Sequence, residues 1–275
     1  MLVGLIHPTK GKIPLDKCIE EFSDIAPAPL VFDILSNINQ TWRKGKVSPS
    51  MLPSCPMKSF LQQEVDYYSL LEDLYWAGFR GTLKHEALAK YGQDNDDLMI
   101  EKRMATKIGG IEITGQVDAY NPAEQILMDW KTCKYIKAEY LPYSEHITQV
   151  KTYALILEDN GLPVKEIQIV YMDANIWASV CIKKDVAYTI HKSKKGWEKT
   201  EIPNLFLQPS EEFKNQIQER VQLLDKVMRG KIDPPCEISF LCNMENRTKK
   251  IYCPVHQNCP CWKEKFGEGA ECQEE

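Results

Sequence analysis

The sequence predicts an α/β protein: a central mixed β-sheet flanked by helices, followed by a small cysteine-rich C-terminal module. Three observations predict it. Gly110–Tyr120 and Gln125–Thr132 read as neighbouring strands joined by a turn at Asn121-Pro122. A long helical stretch, Glu139–Glu158, separates them from two further strand-sized runs, Ile167–Met172 and Ile176–Ile182. Six of the ten cysteines crowd the segment from Cys236 to Cys272.

The 275 residues, 43% of them hydrophobic, suffice for one sizeable core and a small appendage. A net charge of -5 excludes a strongly basic surface that coats DNA indiscriminately. Contact with nucleic acid then needs a local basic groove, with metal ions screening phosphate. The longest apolar runs are strand-sized, so no membrane partner is expected. Met1–Lys12 lacks the charged and apolar regions of a signal peptide, so a cytoplasmic (or intracellular viral) location is expected.

The elements follow in order. The first forty residues are mixed, with a short helix over Ile34–Trp42. Met57–Tyr75 carries Phe60, Leu61, Val65, Tyr68, Leu71 and Leu74 at helical spacing, opened by Cys55-Pro56 with proline near the first helical position. After Gly78 and Gly81, Thr82 caps a helix over Leu83–Tyr91. Met99–Met104 reads as a strand. In Gly110–Tyr120, Ile111, Ile113, Gly115, Val117 and Ala119 share one alternating face. The helix Glu139–Glu158 is broken near Pro142 and ended by Asn160-Gly161. Glu211–Met228 is amphipathic, with Phe213, Ile217, Val221, Leu224 and Met228 three or four apart. Asp233-Pro234-Pro235 marks a boundary, dividing a core of residues 1–232 from a cysteine-rich module of residues 233–275.

Chemistry concentrates in Gly115-Gln116-Val117-Asp118 and Leu127-Met128-Asp129-Trp130-Lys131. Strand side chains alternate, so Asp129 and Lys131 share a face, and the turn brings Asp118 near them. Phosphodiester hydrolysis needs a divalent cation on hard oxygen ligands, an activated water and neutralised phosphate charge. Two carboxylates and a lysine are the residue types that meet those needs. On its own, Asp-x-Lys on a strand also describes a solvated ion pair. Here Ile126, Leu127, Met128 and Trp130 surround it, and a charge in an apolar strand is costly unless paired or metal-bound.

These segments, with two others, resemble the RecB-like branch of the PD-(D/E)xK nucleases, including the CRISPR-associated cluster-bearing exonucleases and the AddB-type recombination nucleases. Gly81-Thr82-Leu83-Lys84-His85 looks like the histidine motif of that branch. Gly115-x-x-Asp118 and Asp129-Trp130-Lys131-Thr132 look like its acidic and D-x-K motifs. Gln149-Val150-Lys151-Thr152-Tyr153 matches its Q-x-x-x-Y motif. The resemblance implies a restriction-endonuclease-like fold and a metal-dependent deoxyribonuclease. It implies that His85, Asp118, Asp129 and the Trp130 carbonyl hold Mg²⁺ or Mn²⁺. Lys131 would position the attacking water. Gln149 and Tyr153, four apart on a helix, would bind phosphate or orient Lys131.

Related nucleases staple the domain with an iron–sulfur cluster, using one early cysteine and three late ones. Cys55 stands at the early position. The tail departs from the usual spacing: it offers Cys253-x2-His256-x2-Cys259-x-Cys261, with Cys242 upstream. Two readings follow. Either Cys55 and three of Cys242, Cys253, Cys259 and Cys261 hold a [4Fe–4S] cluster, with Cys253, Cys259 and Cys261 the first choice, or the tail holds a structural Zn²⁺ on cysteines with His256 as a candidate further ligand. The cluster is favoured because it explains Cys55.

The resemblance implies DNA, single-stranded or frayed, as substrate of an exonuclease. The setting implied is recombination, repair, replication or CRISPR adaptation, with proteins of those processes as partners. Lys131, Lys134 and Lys137, then Lys192, Lys194 and Lys195, then Arg247, Lys249 and Lys250 are candidates to line a groove. Tyr188, Trp197 and Trp262 are candidates to stack on bases. The alternative is a non-catalytic DNA-binding partner that retains the fold.

Overall fold

The structure is a computed structural model. It describes all residues except 1, 39–46, 75–80, 82, 84–85, 88–89, 91–96, 134–135, 173–176, 194, 208–210, 236–254, 256–257, 261–262 and 265–275. The chain divides into two compact units. One comprises residues 1–45, 54–78 and 223–275; the other comprises 46–53 and 79–222. The division therefore does not fall at the 232/233 boundary expected from the prolines, because the N-terminal segment joins the tail's unit.

The first unit holds a three-stranded sheet of β1 (Leu2–His7), β2 (Gly11–Pro14) and β3 (Tyr67–Leu70), in the order β2-β1-β3. Around it lie α1 (Cys18–Glu21), α2 (Ala28–Ile38), α3 (Pro56–Glu64) and α4 (Leu71–Leu74). Leu5, Ile13, Cys18, Phe22 and Val31 form one buried cluster. His7 is buried beside it. Its Nδ1 accepts from the Thr9 and Lys10 amides, both at 3.2 Å, so Nε2 carries the proton and donates to Asp24 at 3.0 Å. A second cluster joins Cys55, Met57 and Leu61 to Val255 and Cys259. This unit departs from the sequence expectation. The helix expected over Met57–Tyr75 stops at Glu64, Val65 turns to extended backbone, and the aromatic pair Tyr67-Tyr68 enters β3.

The second unit holds β4 (Met99–Ile108), β5 (Ile111–Asn121), β6 (Ile126–Thr132), β7 (Glu166–Met172), β8 (Trp177–Lys183), β9 (Ala187–Ser193) and β10 (Gly196–Glu201). They form a single seven-stranded sheet in the order β10-β9-β8-β7-β6-β5-β4. Only β6 and β7 run parallel, so the sheet is mixed, as expected. A parallel pair needs a crossover, and α5 (Ser144–Asp159) supplies it. Val150, Tyr153, Ala154 and Leu157 make its buried stripe. The helix starts after Pro142 rather than running through it, since proline there has no amide to give the ladder. It ends at Asn160 with Gly161 at φ 77°. The Leu162 amide bonds the Leu157 carbonyl and the Gly161 amide bonds the Glu158 carbonyl, a Schellman ending.

The amphipathic α6 spans Glu211–Met228, as expected. The strands β9 and β10 are additions to the sequence reading. β10 is exposed along its length, so it carries no buried alternation to read. Among the described residues, no helix is long and apolar enough to cross a membrane.

Candidate active site

The site forms where β5 and β6 part. Their ladder holds from Asn121↔Ile126 to Ala119↔Met128. Carried one step further, that register sets Asp118 opposite Asp129. The Trp130 amide just beyond is satisfied by the Asp118 carboxylate: N–H to Oδ2 is 2.7 Å. Asp118 and Asp129 are both buried, at 8% and 1% exposure. Lys131, two residues along β6, returns to Asp129 with Nζ 3.1 Å from Oδ1 and 2.8 Å from Oδ2.

The crossover helix completes the arrangement. Lys131 Nζ donates to Gln149 Oε1 at 2.9 Å, and Gln149 Nε2 donates to the Tyr153 hydroxyl at 3.1 Å. A chain of contacts thus runs from Asp129 through Lys131 and Gln149 to Tyr153. Burial raises the Tyr153 pKa, and the charges of Asp129, Asp118 and Glu101 raise it further, against the lowering by its bond from Gln149. The phenol therefore stays protonated. Its ring lies against Gly115. A Cβ there would stand 2.6 Å from a Tyr153 ring carbon and 3.1 Å from Pro49. The glycine is required for close approach, since its φ is unremarkable.

Asp118, Asp129, Lys131, Gln149, Tyr153 and the Trp130 backbone are therefore brought together. The Trp130 contact described is made through its N–H. His85 lies outside the described residues, as do Cys253 and Cys261. Cys55 and Cys259 share one buried cluster in the first unit, and both are free thiols. Of the groove and stacking residues, 134, 194, 247, 249, 250 and 262 lie outside the described residues. The ladder runs Trp130↔Val170↔Ser179↔Ile190↔Lys199. By alternation Tyr188, Lys192 and Trp197 share that face, opposite the face of Asp129 and Lys131. The candidate stacking residues Tyr188 and Trp197 therefore stand on the sheet face opposite the acidic residues.

His146 was not expected. It precedes Gln149 by three residues on α5, so it lies on the same stripe. Its Nδ1 is 3.1 Å from the Tyr171 hydroxyl, and Tyr171 is the ladder neighbour of Lys131. Burial, with the nearby Lys131 charge, pushes the His146 pKa down to about 3. Extending the Q-x-x-x-Y stripe one turn back would have found it.

The donor set suits a hard divalent cation, two carboxylates beside a lysine. Asp129 Oδ2 is fully buried, and the Lys131 ammonium 2.8 Å away is its charge partner. A buried carboxylate beside an ammonium stands where positive charge is favoured, which fits a place for a cation. Among the described residues, no three His, Cys, Asp or Glu side chains are gathered tightly enough to form a complete ligand group.

No family model matches the chain, and no curated protein matches it. Among solved structures it is similar to the protein designated SSO0001, with 16% identity and a TM-score of 0.49 over 84% of this chain and 94% of that one. It is also similar to a phage-related exonuclease from Haemophilus somnus 129PT, with 14% identity and a TM-score of 0.37 over 68% of this chain and 94% of that one.

Two predictions follow from this geometry. Gly115→Ala drives a methyl into the Tyr153 ring and destabilises the fold by about 1–3 kcal/mol, read by urea unfolding. An unfolding midpoint equal to that of the wild type counts against the close approach. The second concerns pH. The folded-state pKa of His146 lies below its unfolded value, so the unfolded chain takes up the extra proton as pH drops. Stability from this group is present above about pH 6.5 and is lost on acidification toward pH 3. His146→Gln removes that loss, so its unfolding free energy declines less steeply than that of the wild type between pH 7 and 4. Parallel pH profiles would show that His146 is not the titrating group.

Proposed function

We propose that this chain is a divalent-metal-dependent deoxyribonuclease of the RecB-like PD-(D/E)xK type. The observation that carries the reading is the Lys131 ammonium, bound at once to buried Asp129 and to Gln149, with Asp118 locked on the next amide. The motif resemblance supplies the substrate and setting: an exonuclease on single-stranded or frayed DNA, in recombination, repair or CRISPR-type adaptation.

Asp118 and Asp129, with His85 and the Trp130 carbonyl, would hold Mg²⁺ or Mn²⁺. Such an ion acidifies a bound water and offsets phosphate charge. Lys131 orients the attacking water and faces the charge that builds on the phosphate. Gln149 fixes the ammonium from the helix side, and Tyr153 fixes Gln149. Cleavage of single-stranded and duplex DNA with Mg²⁺ or Mn²⁺ tests this. Lys131→Ala is expected to lose about 10²- to 10³-fold in rate. Cleavage by that variant at the wild-type rate sinks the reading. DNA binding by a wild type that never cleaves leaves the non-catalytic partner in its place.

The same reading assigns Cys55, Cys253, Cys259 and Cys261 to a [4Fe–4S] cluster. The meeting of Cys55 and Cys259 in one buried core supports it. Such a centre closes a long loop between distant chain segments and is structural. Anaerobically purified protein should be brown, and Cys55→Ser or Cys259→Ser should lose both colour and iron. A colourless wild type loaded with zinc would favour the structural Zn²⁺ instead.

A further inference from the structure

The His146 imidazole is held on one edge and free on the other. It lies edge-on to the Tyr143 ring, with centroids 5.5 Å apart and an interplanar angle of 85°. It also packs against the Tyr171 ring, with centroids 5.5 Å apart. Nδ1 is 3.1 Å from the Tyr171 hydroxyl, which the Tyr143 backbone N–H bonds as well. Tyr171 is fully buried, so its phenolic proton needs an acceptor inside the protein. His146 Nδ1 is that acceptor, and the imidazole proton is therefore on Nε2.

His146 is half-buried, and its Nε2–H has no hydrogen-bond partner among the described residues. A ring clamped by three contacts thus keeps one oriented donor unused. Its neighbours relate that donor to the site. Gln149, one turn along α5, bonds the Lys131 ammonium, and Tyr171 is the neighbour of Lys131 across β6 and β7. His146 is therefore tied to the helix and to the sheet face that carry Lys131. Burial and the Lys131 charge keep its ring neutral. A second cation there would repel the ammonium, whereas a neutral N–H offers an anion one more donor without that cost.

We infer that His146 is a phosphate-binding residue of this site, whose Nε2–H donates to a non-bridging phosphate oxygen of a DNA strand held beside Lys131. This rests on the deoxyribonuclease reading and adds a contact beyond the Gln149–Tyr153 pair. A non-bridging oxygen carries negative charge and can only accept, so a fixed N–H bonds it more strongly than it would a neutral group. Tyr171 is a positioning residue here: its hydroxyl fixes the tautomer that presents the proton.

The test is binding of a fluorescein-labelled single-stranded oligonucleotide to the full chain, read by anisotropy without added divalent ion so that the strand stays intact. His146→Phe keeps a ring between Tyr143 and Tyr171 and removes the donor. Its dissociation constant should rise about 10-fold. His146→Gln retains an N–H and should recover most of that loss. Oligonucleotides carrying one neutral methylphosphonate at each position in turn then locate the contact. At one position the replacement should weaken wild-type binding and cost His146→Phe much less. Equal costs in the two proteins at every position, with DNA bound by the wild type, overturn this inference alone, since His146 then serves packing only. Wild-type cleavage with Mn²⁺ judges the deoxyribonuclease reading separately. A wild type that neither binds nor cleaves DNA overturns both.

Discussion

The Lys131 ammonium is the contact on which the site depends. Asp129 is almost wholly buried on a strand whose neighbours are Met128 and Trp130. A carboxylate there is tolerable only with a charge partner, and Lys131 supplies one from the same strand face. Removing one member of such a pair costs about 3–5 kcal/mol, because the other is left buried and uncompensated. The ammonium is also held from above by Gln149. Its position is thus set by two elements, a strand and a helix, rather than by one flexible side chain. Tyr153 extends that control, since its hydroxyl receives the Gln149 amide and its ring leaves no room for a side chain at Gly115.

Topology explains why those residues meet. β6 pairs antiparallel with β5 on one side and parallel with β7 on the other. The antiparallel side needs only a short turn, which places Asp118 opposite Asp129. The parallel side needs a crossover, which lays α5 over the β6 face that carries Asp129 and Lys131. The acidic motif and the glutamine–tyrosine motif are therefore two consequences of one strand's two neighbours. The divergence of β5 and β6 beyond Ala119↔Met128 then frees the Trp130 amide for the Asp118 carboxylate.

Much of this was legible in the sequence, and the failures have physical causes. Asp118, Asp129, Lys131, Gln149 and Tyr153 were readable because strand alternation and helical spacing are local rules. The sheet face of Tyr188 and Trp197 was not readable, because only strand register, which depends on partners, tells which face a residue joins. The N-terminal sheet was invisible for a related reason. Leu61, Val65, Tyr68 and Leu71 fit a helical period, yet they belong to a helix end, a strand and a new helix.

The cysteines pose a separate physical problem, because the clusters of the first unit share no residue with the Asp129–Lys131 site. Cys55 is the residue before α3, and Pro56 opens that helix, so the local backbone presents the thiol at a fixed helix start. Cys259 comes from the far end of the chain into the same core. Closing a loop of that length costs entropy, which the apolar contacts of Met57, Leu61 and Val255 work against. A metal centre bridging such thiols would make that closure strong, since coordination to a folded site contributes directly to folding. The two demands are separable: any such centre would act on the core of Cys55 and Cys259, which shares no residue with the carboxylate–lysine pair.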